Sequence, residues 1–236
     1  MPKIIDVDKI DLTVEETLIL KDVSFTVDAG DYIAIVGANG SGKTSLVKAI
    51  LGLRTPQFGS IWIESSIIKN KKISYISQQV ATQAKNFPIT VFEVVQMGLY
   101  AEKKSMKFYN KEDNKRVHEM LKSLNIEHLA NQQITSLSGG ERQRALLGRS
   151  LISHPDVIIL DEPTSALDPE FRSSFYELID TINQQGVTIL IITHDLGVLK
   201  NYVNKVLVLD HQVVFFGTSE DFLAQRDQFD ELGVEV

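Results

Sequence analysis

Four short apolar runs punctuate the chain: Tyr32 to Val36, Val157 to Leu160, Thr188 to Ile192 and Val206 to Leu209. Each is nearly continuous rather than alternating, which is what a parallel strand covered on both faces requires. A helical stretch from Lys43 to Leu51 follows the first run. Phe171, Phe175, Leu178, Ile179 and Ile182 then recur at helical spacing and predict an amphipathic helix between the second and third. Strands alternating with helices in this way predict a parallel α/β core. The start of the chain reads differently. Ile4-Ile5, Ile10 to Val14, Leu18 to Leu20 and Val23 to Val27 are short β-type runs. Turn-like breaks at Glu15-Glu16 and Ala29-Gly30 separate them, which predicts antiparallel hairpins. From about residue 82 to 153 the pattern is mostly helical and polar, with Lys111 to Leu124 the clearest helix. We expect one domain with a core lobe over about 1–81 and 154–236 and an inserted helical lobe over about 82–153. After a strand at Phe215-Phe216-Gly217 and a short final helix, no sizeable C-terminal regulatory domain is expected.

Composition narrows the function classes. The 236 residues are 43% hydrophobic and 23% charged, the balance of a globular protein with a substantial core. No run of 18 apolar residues is present, so no helix that spans a bilayer is expected. The N-terminus shows no basic start followed by an apolar run, so no secretion signal is expected. Cysteine is absent, which removes disulfides and thiolate metal sites and suits a reducing cytoplasm. A formal net charge of −7 argues against broad electrostatic binding to nucleic acid or anionic lipid. If the protein works at a membrane, a protein partner has to hold it there.

The clearest chemistry follows the first apolar run. Gly37-Ala38-Asn39-Gly40-Ser41-Gly42-Lys43-Thr44 fits G-x-x-x-x-G-K-[ST], between a buried strand and a helix. Glycines let backbone N–H groups turn inward around phosphates, and the helix N-terminus adds unpaired donors. Lys43 can reach the β- and γ-phosphates, Thr44 can offer its hydroxyl to Mg²⁺, and Ser45 can reach an inner phosphate. Asp161 ends the second apolar run, where it can hold Mg²⁺ through water, and Glu162 can take a proton from an attacking water. The plainer reading of this pair is a solvated acidic turn before Pro163. His194 ends the third run, where it can hydrogen-bond a γ-phosphate or serve a structural purpose. Asp195 and Asp168 both look like helix N-caps, the latter with Pro169 at the first helical position.

With the stretch Leu137-Ser138-Gly139-Gly140-Glu141-Arg142-Gln143-Arg144, lying between the phosphate loop and Asp161-Glu162, the chain resembles the nucleotide-binding subunits of ABC transporters. The resemblance extends from about Ile4 to Leu223. It takes in Gln78, the segment Asp161 to Asp168, and Ile192-Thr193-His194-Asp195. It implies an ABC-type α/β P-loop NTPase fold, with a mixed-sheet core, an N-terminal antiparallel β region and the helical lobe. It implies binding of ATP with Mg²⁺, hydrolysis, and a head-to-tail dimer of two copies closed by ATP. In that dimer Ser138, Gly139 and Gly140 bind the γ-phosphate held by the other copy and Asp168 crosses the interface. Glu162 is the base, His194 senses the γ-phosphate, and Gln78 contacts Mg²⁺ and the attacking water. One departure stands out. The family usually places an aromatic residue for adenine six positions before Leu20, and here that residue is Val14. Base–aromatic stacking is worth roughly 1–3 kcal/mol, so weaker ATP binding and poorer adenine selectivity are expected.

The stretch Phe87 to Gly98 is similar to the ATPases of metal importers for zinc, manganese or chelated iron. That implies a separate integral membrane permease and, indirectly, an extracytoplasmic metal-binding protein. It also implies a place on the inner face of the cell membrane. The same stretch reads as ordinary lobe core, because Val91, Val94 and Val95 are spaced for one helix face. His118, His128, His154 and His211 are scattered and form no close ligand pair, so nothing in the chain selects the metal. A siderophore or haem iron importer remains an alternative. So does a non-transport ABC ATPase of DNA repair or ribosome work, although such chains usually carry two cassettes or long coiled coils. An inactive regulatory module is disfavoured by intact Lys43, Asp161, Glu162 and His194.

Overall fold

The computed structural model describes residues 1–70, 72–77, 88–102, 108–165 and 167–230. The chain opens with β1 (Lys3–Val14) and β2 (Thr17–Asp28), an antiparallel hairpin whose last pair is Val14 with Thr17. Its two-residue turn has φ of 47° at Glu15 and 67° at Glu16. Positive φ at both centres gives the turn the twist of the flanking strands. Then come β3 (Tyr32–Val36), α1 (Lys43–Ile50), β4 (Phe58–Ile63), α2 (Ser65–Lys69) and β5 (Ile73–Ile76). The helices α3 (Val91–Met97), α4 (Lys111–Ser123) and α5 (Gly139–Leu151) follow. The chain closes with β6 (Val157–Asp161), α6 (Pro169–Gln184), β7 (Thr188–Ile192), α7 (Leu196–Asn201), β8 (Lys205–Asp210), β9 (Gln212–Thr218) and α8 (Ser219–Ala224).

Two sheets result. One is antiparallel in the order β2-β1-β4, and the other is mixed in the order β5-β6-β7-β3-β8-β9, antiparallel only at β9. The four apolar runs become β3, β6, β7 and β8 of the mixed sheet. Every residue of β3, β6 and β7 is buried, as two-sided coverage demands. Alternation divides the core. Tyr32, Ala34 and Val36 face the helices with Ile158 and Ile191, while Ile33 and Ile35 face α1 and the antiparallel sheet with Ile159 and Ile192.

The Ala29-Gly30 break does not close a hairpin. There the chain leaves one sheet for the other, because an all-apolar β3 finds cover only between β7 and β8. The crossing is pinned by Lys205 Nζ, 2.9 Å from Asp28 Oδ2 and 2.8 Å from Asp31 Oδ2. Strand β4 went unpredicted. It is a partly exposed edge strand beginning Phe58-Gly59-Ser60, and its apolar signal is weak. Capping boxes start the three middle helices, at Thr90 with Glu93, Asn110 with Asp113 and Ser138 with Glu141. Each satisfies two N-terminal groups that would otherwise lack partners.

Candidate functional site

Strands β6, β7 and β3 are neighbours, with Asp161 and Ile35 both in register with Ile192. Their carboxyl ends therefore release three loops along one edge, the place where open α/β sheets bind ligands. These loops carry the phosphate-loop motif, Glu162 and His194. The ladder continues into them: Glu162 N–H donates to the Ile192 carbonyl at 3.0 Å, and Thr193 N–H to the Ile35 carbonyl at 3.4 Å.

A cavity of about 320 Å³ is lined by Asn39, Gly40, Gly42, Lys43, Thr44 and Ser45, with Ile19 on one side and Glu162 on another. Its loop is possible only with glycine. At Gly37 (φ 151°) a Cβ would lie 2.1 Å from the Leu209 carbonyl oxygen, and at Gly42 (φ 102°) 2.6 Å from Leu20 Cδ2. The loop wraps Lys43, whose Nζ donates to the Gly37 and Ala38 carbonyls at 2.7 and 2.8 Å. Burial pushes this ammonium below its ordinary pKa, against the pull of Glu162 and Asp161. Ser41 Oγ is buried with no hydrogen-bond partner among the described residues. An ammonium has three donors, so two carbonyls leave one for an anion. The glycine cradle, that spare donor and the orphaned hydroxyl suit a polyphosphate.

Asp161, 5% exposed, accepts from Thr44 Oγ1 at 3.2 Å and from the Tyr75 phenol at 3.0 Å. Burial raises the Asp161 pKa, and the two hydroxyls oppose that rise. A carboxylate beside a hydroxyl offers the oxygen ligands Mg²⁺ prefers, with phosphate oxygens completing the set. Among the described residues, no cluster of three or more His, Cys, Asp and Glu could hold a metal unaided. Next along the chain, Glu162 sits at φ 48°. A left-handed residue without glycine's freedom costs about 1–2 kcal/mol and survives where its surroundings over-determine it. Glu162 Oε1 lies 3.4 Å from His194 Nε2. Beyond them, a second cavity of about 180 Å³ is lined by Glu162, Thr164, Ser165, Arg172, Thr193, His194 and Asp195.

Comparison with known proteins decides the family. The profile described as ABC transporter matches residues 20–165. The chain belongs to the ABC transporter family. Its activity is that of the family's ATPase domain, hydrolysis of ATP. The cassette is 34% identical over 235 residues to the zinc uptake system ATP-binding protein ZurA of Listeria innocua, covering 96% of this chain and 91% of the relative. It is 32% identical over 223 residues to the manganese transport system ATP-binding protein MntB of Halalkalibacterium halodurans, covering 94% and 88%. Among solved structures it resembles a dimeric ATP-binding cassette in a post-hydrolysis state with ADP and Pi. The TM-score is 0.76 and the identity 26%, over 91% of this chain and 98% of that one.

Within the cassette, the remaining motif residues lie elsewhere. Ser138, Gly139 and Gly140 begin α5 and line neither cavity. Ser138 is exposed, and its hydroxyl donates to Glu141 Oε2 at 2.7 Å. Asp168 caps α6, its Oδ1 accepting from Phe171 N–H at 3.1 Å. Gln78 and Phe87 lie outside the described residues. Val14 is half-buried beside the hairpin turn, and it is Ile19 that lines the phosphate-loop cavity. Tyr75 belongs to no motif in the sequence. Its partner Asp161 is 86 residues away, so only the pairing of β5 with β6 reveals the contact.

Proposed function

We propose that this cassette is the ATPase subunit of an importer for a divalent metal, zinc or manganese, working as a head-to-tail pair on a separate permease. The observation that carries the ATPase half is a cavity bringing Lys43, Thr44 and Glu162 together, with Asp161 hydrogen-bonded to the lining Thr44. In this reading backbone N–H groups of Gly37 to Ser45 hold the phosphates and the third Lys43 donor neutralises them. Thr44, Asp161 and Gln78 would hold Mg²⁺, which supplies charge neutralisation of the phosphates. Glu162 accepts the proton of the attacking water, and His194 stands 3.4 Å away to register the γ-phosphate. Ser138 and Gly139 are exposed, Gly140 is buried, and none of the three lines the phosphate-loop cavity, which supports completion of each site by a second copy. Asp168 would lie at that junction. The dimeric relative bound to ADP and Pi supports the pairing of two cassettes.

The metal half rests on the relatives, whose names concern zinc and manganese. No helix among the described residues is long and apolar enough to cross a membrane. A peripheral position on the inner membrane face, held by the permease, follows from the reading, with an extracytoplasmic metal-binding protein upstream. The net charge of −7 supports a protein partner over nucleic acid. Deleting the gene and measuring cell metal content under chelator-limited growth tests the assignment. Zinc or manganese content should fall severalfold and recover with the wild-type gene but not with Lys43→Ala. Unchanged contents of both metals, with nucleic acid co-purifying with the protein, would overturn it.

A further inference from the structure

Behind Glu162 and His194 a chain of three hydroxyls runs through the interior. Thr164 Oγ1 lies 2.6 Å from the phenol oxygen of Tyr176, and that oxygen lies 3.4 Å from Thr193 Oγ1. Tyr176 is on α6, and all three side chains are at most 5% exposed. Thr164 stands two residues past Glu162, and Thr193 immediately precedes His194. Thr193 Oγ1 also accepts from the Asp195 N–H at 3.0 Å, so one hydroxyl meets the backbone on the far side of His194. We propose that Tyr176 is a positioning residue for hydrolysis, its phenol fixing the Glu162 loop against the His194 loop. The proposal rests on the ATPase reading given above.

Two features separate this from ordinary packing. The paired register of β6 with β7 ends at Asp161 with Ile192, and one last backbone bond joins them, from Glu162 N–H to the Ile192 carbonyl. Beyond that bond Tyr176 is a cross-link that reaches both loops. Second, the apolar face of α6 is otherwise Phe175, Ile179 and Ile182, where a phenylalanine would fill the same volume. A buried hydroxyl in such a place is costly unless paired, and here it is paired with both loops. Burial raises the Tyr176 pKa, so the phenol stays protonated at neutral pH. It carries one proton and two lone pairs, enough to hydrogen-bond both threonine hydroxyls at once. Left-handed Glu162 needs such outside support to persist.

The test is steady-state ATPase kinetics of Tyr176→Phe in the full chain, with thermal midpoint and ATP-driven dimerisation measured in parallel. Loss of both phenol hydrogen bonds from the transition-state arrangement should lower kcat at least about fivefold. KM should stay within about twofold, and ATP should still dimerise the double variant Tyr176→Phe, Glu162→Gln. Thr193→Val, which cuts the chain at its other end, should reproduce the loss, and Thr193→Ser should recover it. A purely structural tyrosine would instead move KM, dimerisation and thermal midpoint together. Wild-type kcat in both Tyr176→Phe and Thr193→Val would overturn the proposal while leaving the ATPase reading intact. A wild-type protein without MgATPase activity would overturn both. If Tyr176→Phe fails to fold, the two Thr193 variants decide alone.

Discussion

Asp161 keeps its carboxylate almost out of water, with the Thr44 and Tyr75 hydroxyls and the nearby Lys43 supporting the charge. Its raised pKa means the folded chain still holds this proton at a pH where the unfolded chain, titrating near about 3.9, has lost it. The stability Asp161 contributes is thus full below the ordinary aspartate range and is lost as pH rises through the raised folded value. Asp161→Asn should therefore raise the nucleotide-free Tm at pH 7 by about 2–4 °C, the response to ~1 kcal/mol in a chain of this size. That gain should shrink toward pH 4, while ATPase activity falls at least about a hundredfold. A charge of the same sign sits at Glu141. Its hydrogen bonds with Ser138 hold its pKa below the ordinary glutamate value, so it stays ionised beside the residues proposed to meet a partner's γ-phosphate. Glutamine keeps the capping geometry and removes the repulsion. Glu141→Gln should tighten the ATP-bound dimer about three- to tenfold, read as a lower MgATP concentration for half-maximal dimerisation.

At the β1–β2 turn the sequence disagrees with the backbone it adopts. Glu15 and Glu16 both adopt positive φ, at about 1–2 kcal/mol each, where Asn-Gly is the favoured pair. Replacing Glu15-Glu16 by Asn-Gly should raise the thermal midpoint by about 3 °C with the fold unchanged, measured by calorimetry. An unchanged or lower midpoint would contradict the turn geometry. The break itself was legible because the β-type runs on either side are strong. Strands β3, β6, β7 and β8 were legible because strands buried on both faces are apolar at nearly every position. β4 was not, since an edge strand with Gly59 and exposed Phe58 and Trp62 carries little pattern. The phosphate loop and Asp161-Glu162 could be read as contiguous motifs. Tyr75, Tyr176 and Ile19 could not, because each acts across the sheet order or against a distant element. Sequence spacing holds no record of such contacts.

For the molecule as a whole, one chain offers a phosphate loop on one edge of the mixed sheet and the Ser138 loop at the start of α5, lining neither cavity. In the proposed pair the two are half-sites and nucleotide is the bridge between copies: ATP would add its interactions with the partner only when the pair is closed, and so shift the population toward closure. In that reading hydrolysis removes the bridge, and the cycle of closing and opening drives the permease. The most direct test is the molar mass in solution of Glu162→Gln with and without MgATP. That substitution keeps the shape of the side chain at φ 48° while removing its ability to accept a proton. The account predicts a monomer without nucleotide and a stable dimer at millimolar MgATP, lost again in the Lys43→Ala, Glu162→Gln double variant. A Glu162→Gln chain that binds MgATP yet stays monomeric would contradict it.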